Sequence, residues 1–177
     1  MAQIKTKRER IKFASDNVTG ACPEVLDAIL KANDGDRTPY GNDEISKSLQ
    51  DKFSDIFEKD VVVFPTSSGT AANALALSTM TPSFGNIYCH KLSHINVDEC
   101  GAPEFYTGGA KLVTLNGVNG KITAEELDKS IVGKGIVHHT QPSSISITQL
   151  CETGEAYKLD EIKKISEIAH KHKLNMH

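Results

Sequence analysis

The chain has 177 residues, of which 24% are charged and 38% hydrophobic, and a formal net charge of −3. That is enough for one domain with a genuine core and short for two. The composition excludes a fibrous or generally disordered chain, no apolar run approaches the roughly 18 to 20 residues needed to span a bilayer, and no charge pattern favours nucleic acid.

The N-terminal stretch MAQIKTKRERIKFASDN is basic with no apolar segment behind it, so a secretory signal is not expected. ASDNVTG is too polar for a core strand. A helix is predicted from Pro23, which suits a first turn, with Val25, Leu26, Ile29 and Leu30 as its apolar stripe. After the irregular link DGDRTPYGND, a second helix is predicted over Glu44 to Phe57, where Ile45, Leu49, Phe53 and Ile56 recur every three or four positions.

From Lys59 the rhythm changes. Val61 to Phe64 is a short continuous apolar run, predicted as a strand buried on both faces. PTSSGT interrupts it, and AANALALSTM follows as a helix of strong formers. Further strands are predicted at Asn86 to Cys89, Ala110 to Leu115 and Ile145 to Thr148, with Leu174 to Met176 opening a fifth. Ile95 and the ten residues after it are ambiguous. Thr123 and Glu126 make a capping box for one more helix, and Asp160 caps a last one through about His172, with Ile162, Ile165 and Ala169 facing the core. Short strands alternating with amphipathic helices imply crossover connections and a parallel sheet, hence an α/β fold. The division expected is an N-terminal arm with helices over 1–58 and an incomplete ligand-binding domain over 59–177.

Cys22, Cys89, Cys100 and Cys151 are widely spaced without a CxxC pair, which disfavours zinc and redox motifs. They read as buried thiols of a reducing compartment, and a cytoplasmic location fits. The strongest local signal is PTSSGTAAN. A strand running into a glycine turn and a helix N-terminus offers unpaired amides and the positive end of a dipole to a phosphate. Ser67, Ser68 and Thr70 add hydroxyls, and Gly69 permits close approach. An ordinary hydroxyl-capped helix accounts for the same residues and, taken alone, is the commoner case.

His94 follows the second predicted strand, where α/β enzymes place ligand-binding groups. His90 has the same ambiguity with less context. The spacing of His94, Asp98 and Cys100 matches no known metal site, so no metal is expected. Ser68 or Thr70 with His94 forms no GxSxG-type nucleophile arrangement. His138 and His139 are consecutive, so at most one enters a given site. His170 and His172 sit two apart on a helix and read as surface residues.

Taken together, SDNVT at 15–19, PYGND at 39–43, SSGTAAN at 67–73, HINVDECGAPE at 94–104 and the terminal HKHKLNMH resemble the threonine aldolase family. That family lies in the aromatic amino acid beta-eliminating lyase superfamily of fold type I pyridoxal-phosphate enzymes. The resemblance runs from about Phe13 to the last residue. It implies a three-layer, mostly parallel large domain, here truncated, and pyridoxal 5'-phosphate as cofactor. The reaction implied is cleavage of L-threonine or L-allo-threonine, a small β-hydroxy amino acid, to glycine and acetaldehyde, in a homodimer or homotetramer.

Position by position, it implies that Ser15 helps hold the substrate carboxylate and that Tyr40 lies near a neighbouring subunit's site. Ser68, Gly69 and Thr70 cradle the cofactor phosphate, which sets aside the simple-capping reading. His94 stacks on the pyridine ring, and His138 lies near the substrate hydroxyl. Gln149 falls where some relatives have asparagine. The family's aspartate for the pyridine nitrogen, its arginine for the substrate carboxylate and its cofactor-binding lysine all follow the position of His177. The 177 residues alone are therefore expected to be inactive. A related β-eliminating lyase and a non-catalytic oligomer-forming protein are the alternatives. In fold type I the strand matching Val61 to Phe64 pairs with a strand later than His177, so no partner for it is expected within these residues.

Overall fold

The computed structural model describes Ser15 and residues 18–177. The chain divides into two compact units, Met1–Val63 and Phe64–His177. In the first unit, helix α1 spans Pro23–Ala32 and helix α2 spans Glu44–Phe57. Pro23 opens α1, where its missing amide costs nothing. Asp43 caps α2 by accepting the Ser46 amide at 2.9 Å. Both helices are amphipathic, yet neither contains a buried residue; Leu30 is 71% exposed.

The run Val61 to Phe64 is extended and joins no ladder, as the resemblance implied for these residues; its expected burial on both faces is corrected, since Val62 and Phe64 are each 73% exposed. Two of its amides are met instead by α2 side chains, Val61 N–H by Ser54 Oγ at 3.3 Å and Val63 N–H by Gln50 Oε1 at 3.2 Å. An apolar β-branched run becomes a strand only when a neighbour supplies the ladder, and no described strand lies beside this one.

The second unit is a parallel α/β layer structure. Its elements are α3 (Gly69–Met80), β1 (Gly85–His90), α4 (His94–Val97), α5 (Ala102–Tyr106), β2 (Lys111–Leu115), α6 (Ala124–Ser130), β3 (Gln141–Ile145), α7 (Leu159–His172) and β4 (Asn175–Met176). The four strands lie in the order β2-β1-β3-β4, every pair parallel. Strand β1 is central, and all six of its residues are buried. Side chains alternate across a strand, so successive β1 residues serve opposite faces. Tyr88 joins a core with Leu115, Leu127, Ile145, Ile165 and Ala169, covered by α6 and α7. Ile87 and Cys89 pack on the other face with Leu77 of α3, Ile95 and Ala110. The parallel sheet is the one expected from the alternation of elements, and its covering on both faces gives the three-layer α/β/α arrangement that the resemblance implies.

Three boundaries differ from expectation. The strand placed at Ile145 to Thr148 runs instead over Gln141–Ile145. Its early part, QPSS, reads as a loop because Pro142 cannot donate to a ladder; the sheet absorbs this with a register shift between Asn86 and Ile87. Helix α7 begins at Leu159 with Lys158 as its N-cap, the Lys158 amide bonded to Glu161 Oε2 at 2.7 Å, so Asp160 lies inside the first turn. At α6, Thr123 caps the Glu126 amide at 3.2 Å, but the reciprocal half of the box is not formed. Of the cysteines, Cys89 and Cys151 are buried as expected, whereas Cys22 and Cys100 are exposed.

Candidate functional site

Parallel strands direct their carboxyl ends to one edge of the sheet, and loops leaving that edge carry the ligand-binding groups of α/β folds. Here those loops are 91–93 after β1, 116–123 after β2 and 146–158 after β3. Helix α3 leads back into β1, so it runs antiparallel to that strand. Twelve helical residues rise about 18 Å and six strand residues about 20 Å, so the α3 N-terminus reaches the same edge.

That N-terminus is built from the serine-rich turn. Ser68 is the N-cap, and its hydroxyl accepts the Ala71 amide at 3.2 Å while its carbonyl accepts that of Ala72. The next two amides, Gly69 and Thr70, have no acceptor among the described residues, as the start of a helix requires. Nothing lies within 4 Å of where a Cβ would stand on Gly69, so the backbone can be approached from outside. Gly117 is the opposite case. A Cβ there would lie 1.7 Å from the Lys121 carbonyl oxygen, and glycine is needed for space.

His94 opens α4 just beyond the carboxyl end of β1. Its Nδ1 lies 2.8 Å from Glu99 Oε1, and its Nε2 lies 3.8 Å from Asp98 Oδ2. The hydrogen bond to Glu99 holds the imidazole above the ordinary histidine range; partial burial opposes this, and the nearby Glu99, Glu152 and Asp98 charges reinforce it. Glu99 is fully buried, and the same Oε1 accepts Asn73 Nδ2 of α3 at 2.6 Å. One carboxylate oxygen thus joins the helix of the serine turn to His94. The 26-residue separation of Asn73 and Glu99 hides this contact from local sequence patterns.

Other residues at this edge are structural. His90 accepts the Leu92 amide at Nδ1 and therefore donates from Nε2 to the Gly117 carbonyl, at 3.1 and 3.2 Å. Gln149 spans Tyr157 with two bonds, accepting its amide at 2.6 Å and donating to its carbonyl at 2.9 Å. The Tyr157 hydroxyl accepts the Ile122 amide at 2.8 Å, and burial pushes that phenol up to about 12. Lys121 bonds both Glu161 oxygens at 3.0 Å. These contacts brace the loops after β2 and β3 against each other. His177 continues the β4 pairing with β3, and its Nδ1 lies 2.9 Å from Ser146 Oγ; burial holds its imidazole below the usual range.

The structure does not bring His138 to His94, and this corrects the expectation that they share a site. His138 lies three residues before β3, and Gly85 at the start of β1 pairs with Gln141, so His138 stands at the amino edge of the sheet. It is exposed there beside a cavity of about 390 Å³ lined by Asn86, Tyr88, Lys111, Val113 and His139. In the first unit, the Ser15 carbonyl accepts the Val18 amide at 3.2 Å, and Tyr40 is 97% exposed with φ 62°. His170 is exposed as expected, but His172 is not a free surface group: its Nε2 lies 2.6 Å from Asp128 Oδ1 on α6.

Open amides at a serine-glycine helix start, with a histidine tied to that helix, fit a phosphorylated planar cofactor: the first would take the phosphate, the second a ring face. Among the described residues, no helix is long and apolar enough to cross a membrane.

Comparisons with known proteins agree with this geometry. The chain is 40% identical over 166 residues to a low specificity L-threonine aldolase of a Pseudomonas species, and 37% identical to one of Pseudomonas aeruginosa. Each alignment covers 94% of this chain and 48% of the relative, so the chain spans about half the length of these proteins. A solved threonine aldolase structure from Leishmania major superposes with a TM-score of 0.83 at 25% identity, covering 90% of this chain and 46% of that one. The Beta-eliminating lyase family model matches residues 12–177, and the chain belongs to that family, with the fold type I architecture of pyridoxal-phosphate enzymes.

Proposed function

We propose that these residues form the N-terminal share of a pyridoxal-phosphate-dependent threonine aldolase that cleaves L-threonine or L-allo-threonine to glycine and acetaldehyde. The observation that carries this reading is the join between the open serine-glycine helix start and His94 through Asn73 and Glu99. When bound, the cofactor supplies an electron sink that lets the bond between Cα and Cβ of the amino acid break. The chain's own residues do the rest. Gly69 and Thr70 donate amides to the phosphate, and the Ser68 and Thr70 hydroxyls add to them. His94 covers one ring face and orients the bond to be broken. Its Nε2, away from Glu99, is placed to take a proton from the substrate hydroxyl directly or through water.

Ser15 on the substrate carboxylate and Tyr40 toward a neighbouring subunit belong to the same proposal; the near-complete exposure of Tyr40 suits a residue that serves another copy. His138 stands at the opposite edge of the sheet from His94, and this reading gives it no part in the chemistry beside His94. The 177 residues by themselves are proposed to be inactive, because the family's pyridine-nitrogen aspartate and cofactor-binding lysine follow the position of His177.

The test is a titration. Pyridoxal phosphate, and more weakly inorganic phosphate, should shift the amide resonances of Gly69 and Thr70, whereas unphosphorylated pyridoxal should not. Equal responses to pyridoxal and its phosphate would overturn the phosphate assignment. Borohydride trapping and peptide mapping of the 177-residue polypeptide test its inactivity. Stoichiometric label on a single lysine, together with threonine cleavage above background, would overturn that part.

A further inference from the structure

We propose that Glu99 is a positioning residue: through one buried oxygen it fixes the His94 ring with its proton on Nδ1 and ties that ring to the helix that carries the phosphate turn. The inference rests on the functional reading above, and its first readout does not depend on that reading.

The argument begins with donors and acceptors. A carboxylate only accepts, so the 2.8 Å contact between His94 Nδ1 and Glu99 Oε1 requires the proton on Nδ1. A neutral His94 must then present the lone pair of Nε2. A free imidazole side chain in water prefers the other arrangement, with the proton on Nε2, which would make that atom a donor rather than a proton acceptor. The contact therefore decides what His94 can do, and this is the usual way a histidine's two nitrogens are given separate tasks.

Burial makes the choice firm. The Glu99 side chain is fully buried, whereas that of His94 is 40% exposed. Oε1 takes both donors, Asn73 Nδ2 at 2.6 Å and His94 Nδ1, while Oε2 is buried without a partner among the described residues. With no competing acceptor satisfied by solvent, the two donors on Oε1 are the means by which this carboxyl group is accommodated. Asn73 sits in the second turn of α3, four residues after Gly69. The ring thus cannot turn or slide relative to the phosphate turn without breaking a charge-assisted bond to a carboxylate that is itself closed to water. Cys100 and Gly101, both at positive φ, turn the chain sharply just after Glu99, and the Ala102 amide bonds the Glu99 carbonyl at 2.8 Å, so the backbone of Glu99 is fixed as well. Three acidic groups face His94: Asp98 and Glu99 from its own loop and Glu152 from the loop after β3. Only Glu99 is in hydrogen-bond contact, so only its replacement changes the tautomer.

The experiment uses a full-length protein that carries these residues together with the family's aspartate and cofactor-binding lysine, with nitrogen-15 in the histidine rings. Above its titration, His94 should show a protonated Nδ1 and an unprotonated Nε2. The isosteric Glu99→Gln should lower the His94 titration midpoint, and Glu99→Ala should move the proton to Nε2. Asp98→Asn, which lacks the direct contact to Nδ1, should leave the tautomer unchanged. In turnover with threonine, Glu99→Gln should lower kcat about 10- to 100-fold, the usual cost of losing a group that orients a reacting one, with KM within about twofold. A parent His94 protonated on Nε2, or a tautomer and midpoint that Glu99→Gln and Glu99→Ala both leave unchanged, overturns the proposal. A fall in kcat without change at the ring also overturns it, because Glu99 would then be merely structural. If the ring responds as expected but the parent cleaves no threonine, the positioning role stands and the functional reading falls.

Discussion

Replacing Tyr157 by phenylalanine removes one oxygen from the interior and nothing else. Tyr157 is 4% exposed, and its ring packs in the larger core with Leu115, Ile122 and Cys151, contacts that phenylalanine keeps. What is lost is the acceptor 2.8 Å from the Ile122 amide, in a position closed to water. Leaving a buried amide unpaired costs about 1 to 3 kcal/mol. At about 1.4 kcal/mol for each tenfold, the folding equilibrium constant should fall about 5- to 140-fold. The assay is urea unfolding followed by far-ultraviolet circular dichroism, with the midpoint lowered and the slope unchanged. Tyr106→Phe is the control, because Tyr106 is 64% exposed and its replacement should stay within about 0.5 kcal/mol of the parent. If the two variants are indistinguishable, the hydroxyl of Tyr157 does not brace the loops after β2 and β3, and the account of that edge is wrong.

Three further outcomes are expected. Ser68→Ala removes the α3 cap and should cost about 1 kcal/mol in unfolding experiments, while also weakening pyridoxal phosphate binding in a direct titration. His94→Phe should retain cofactor better than His94→Ala, with both slower than the parent in turnover, since misplacing reacting groups by about 1 Å can cost roughly 100-fold; equal retention and unchanged turnover would return His94 to an ordinary loop residue. Asp128, held below the usual aspartate range first by its bond to Lys171 and then by that to His172, contributes stability that is present above its unfolded pKa and is lost as pH falls through the lowered folded value; melting curves of Asp128→Asn should therefore be flatter than the parent's across that acid window.

Much of this architecture is legible in the sequence because it rests on short-range periodicity. The bounds of α2 follow from the recurrence of Ile45, Leu49, Phe53 and Ile56, and the core face of α7 from Ile165 and Ala169. The serine-glycine turn before α3 and the position of His94 after β1 are likewise local signals. What the sequence conceals depends on partners. Val61 to Phe64 has the composition of a buried strand, and only the absence of a described neighbour keeps it out of a ladder. Strand β3 is masked by Pro142 and its serines, which are tolerated because the register slips beside them. That positions 94 and 138 lie at opposite edges of the sheet follows only from the parallel pairing of β1 with β3. Glu99 carries no motif of its own. Its importance arises from burial and from Asn73, a contact that exists only after α3 folds back along β1.

The central claim is tested most directly by identifying the products when a full-length protein that carries these 177 residues together with the family's aspartate and cofactor-binding lysine is incubated with pyridoxal phosphate and L-threonine or L-allo-threonine. The account predicts glycine and acetaldehyde in equal amounts, with the rate reduced in His94→Ala. Ammonia and a 2-oxo acid without glycine would place the chain among the eliminating enzymes of its family and contradict the account.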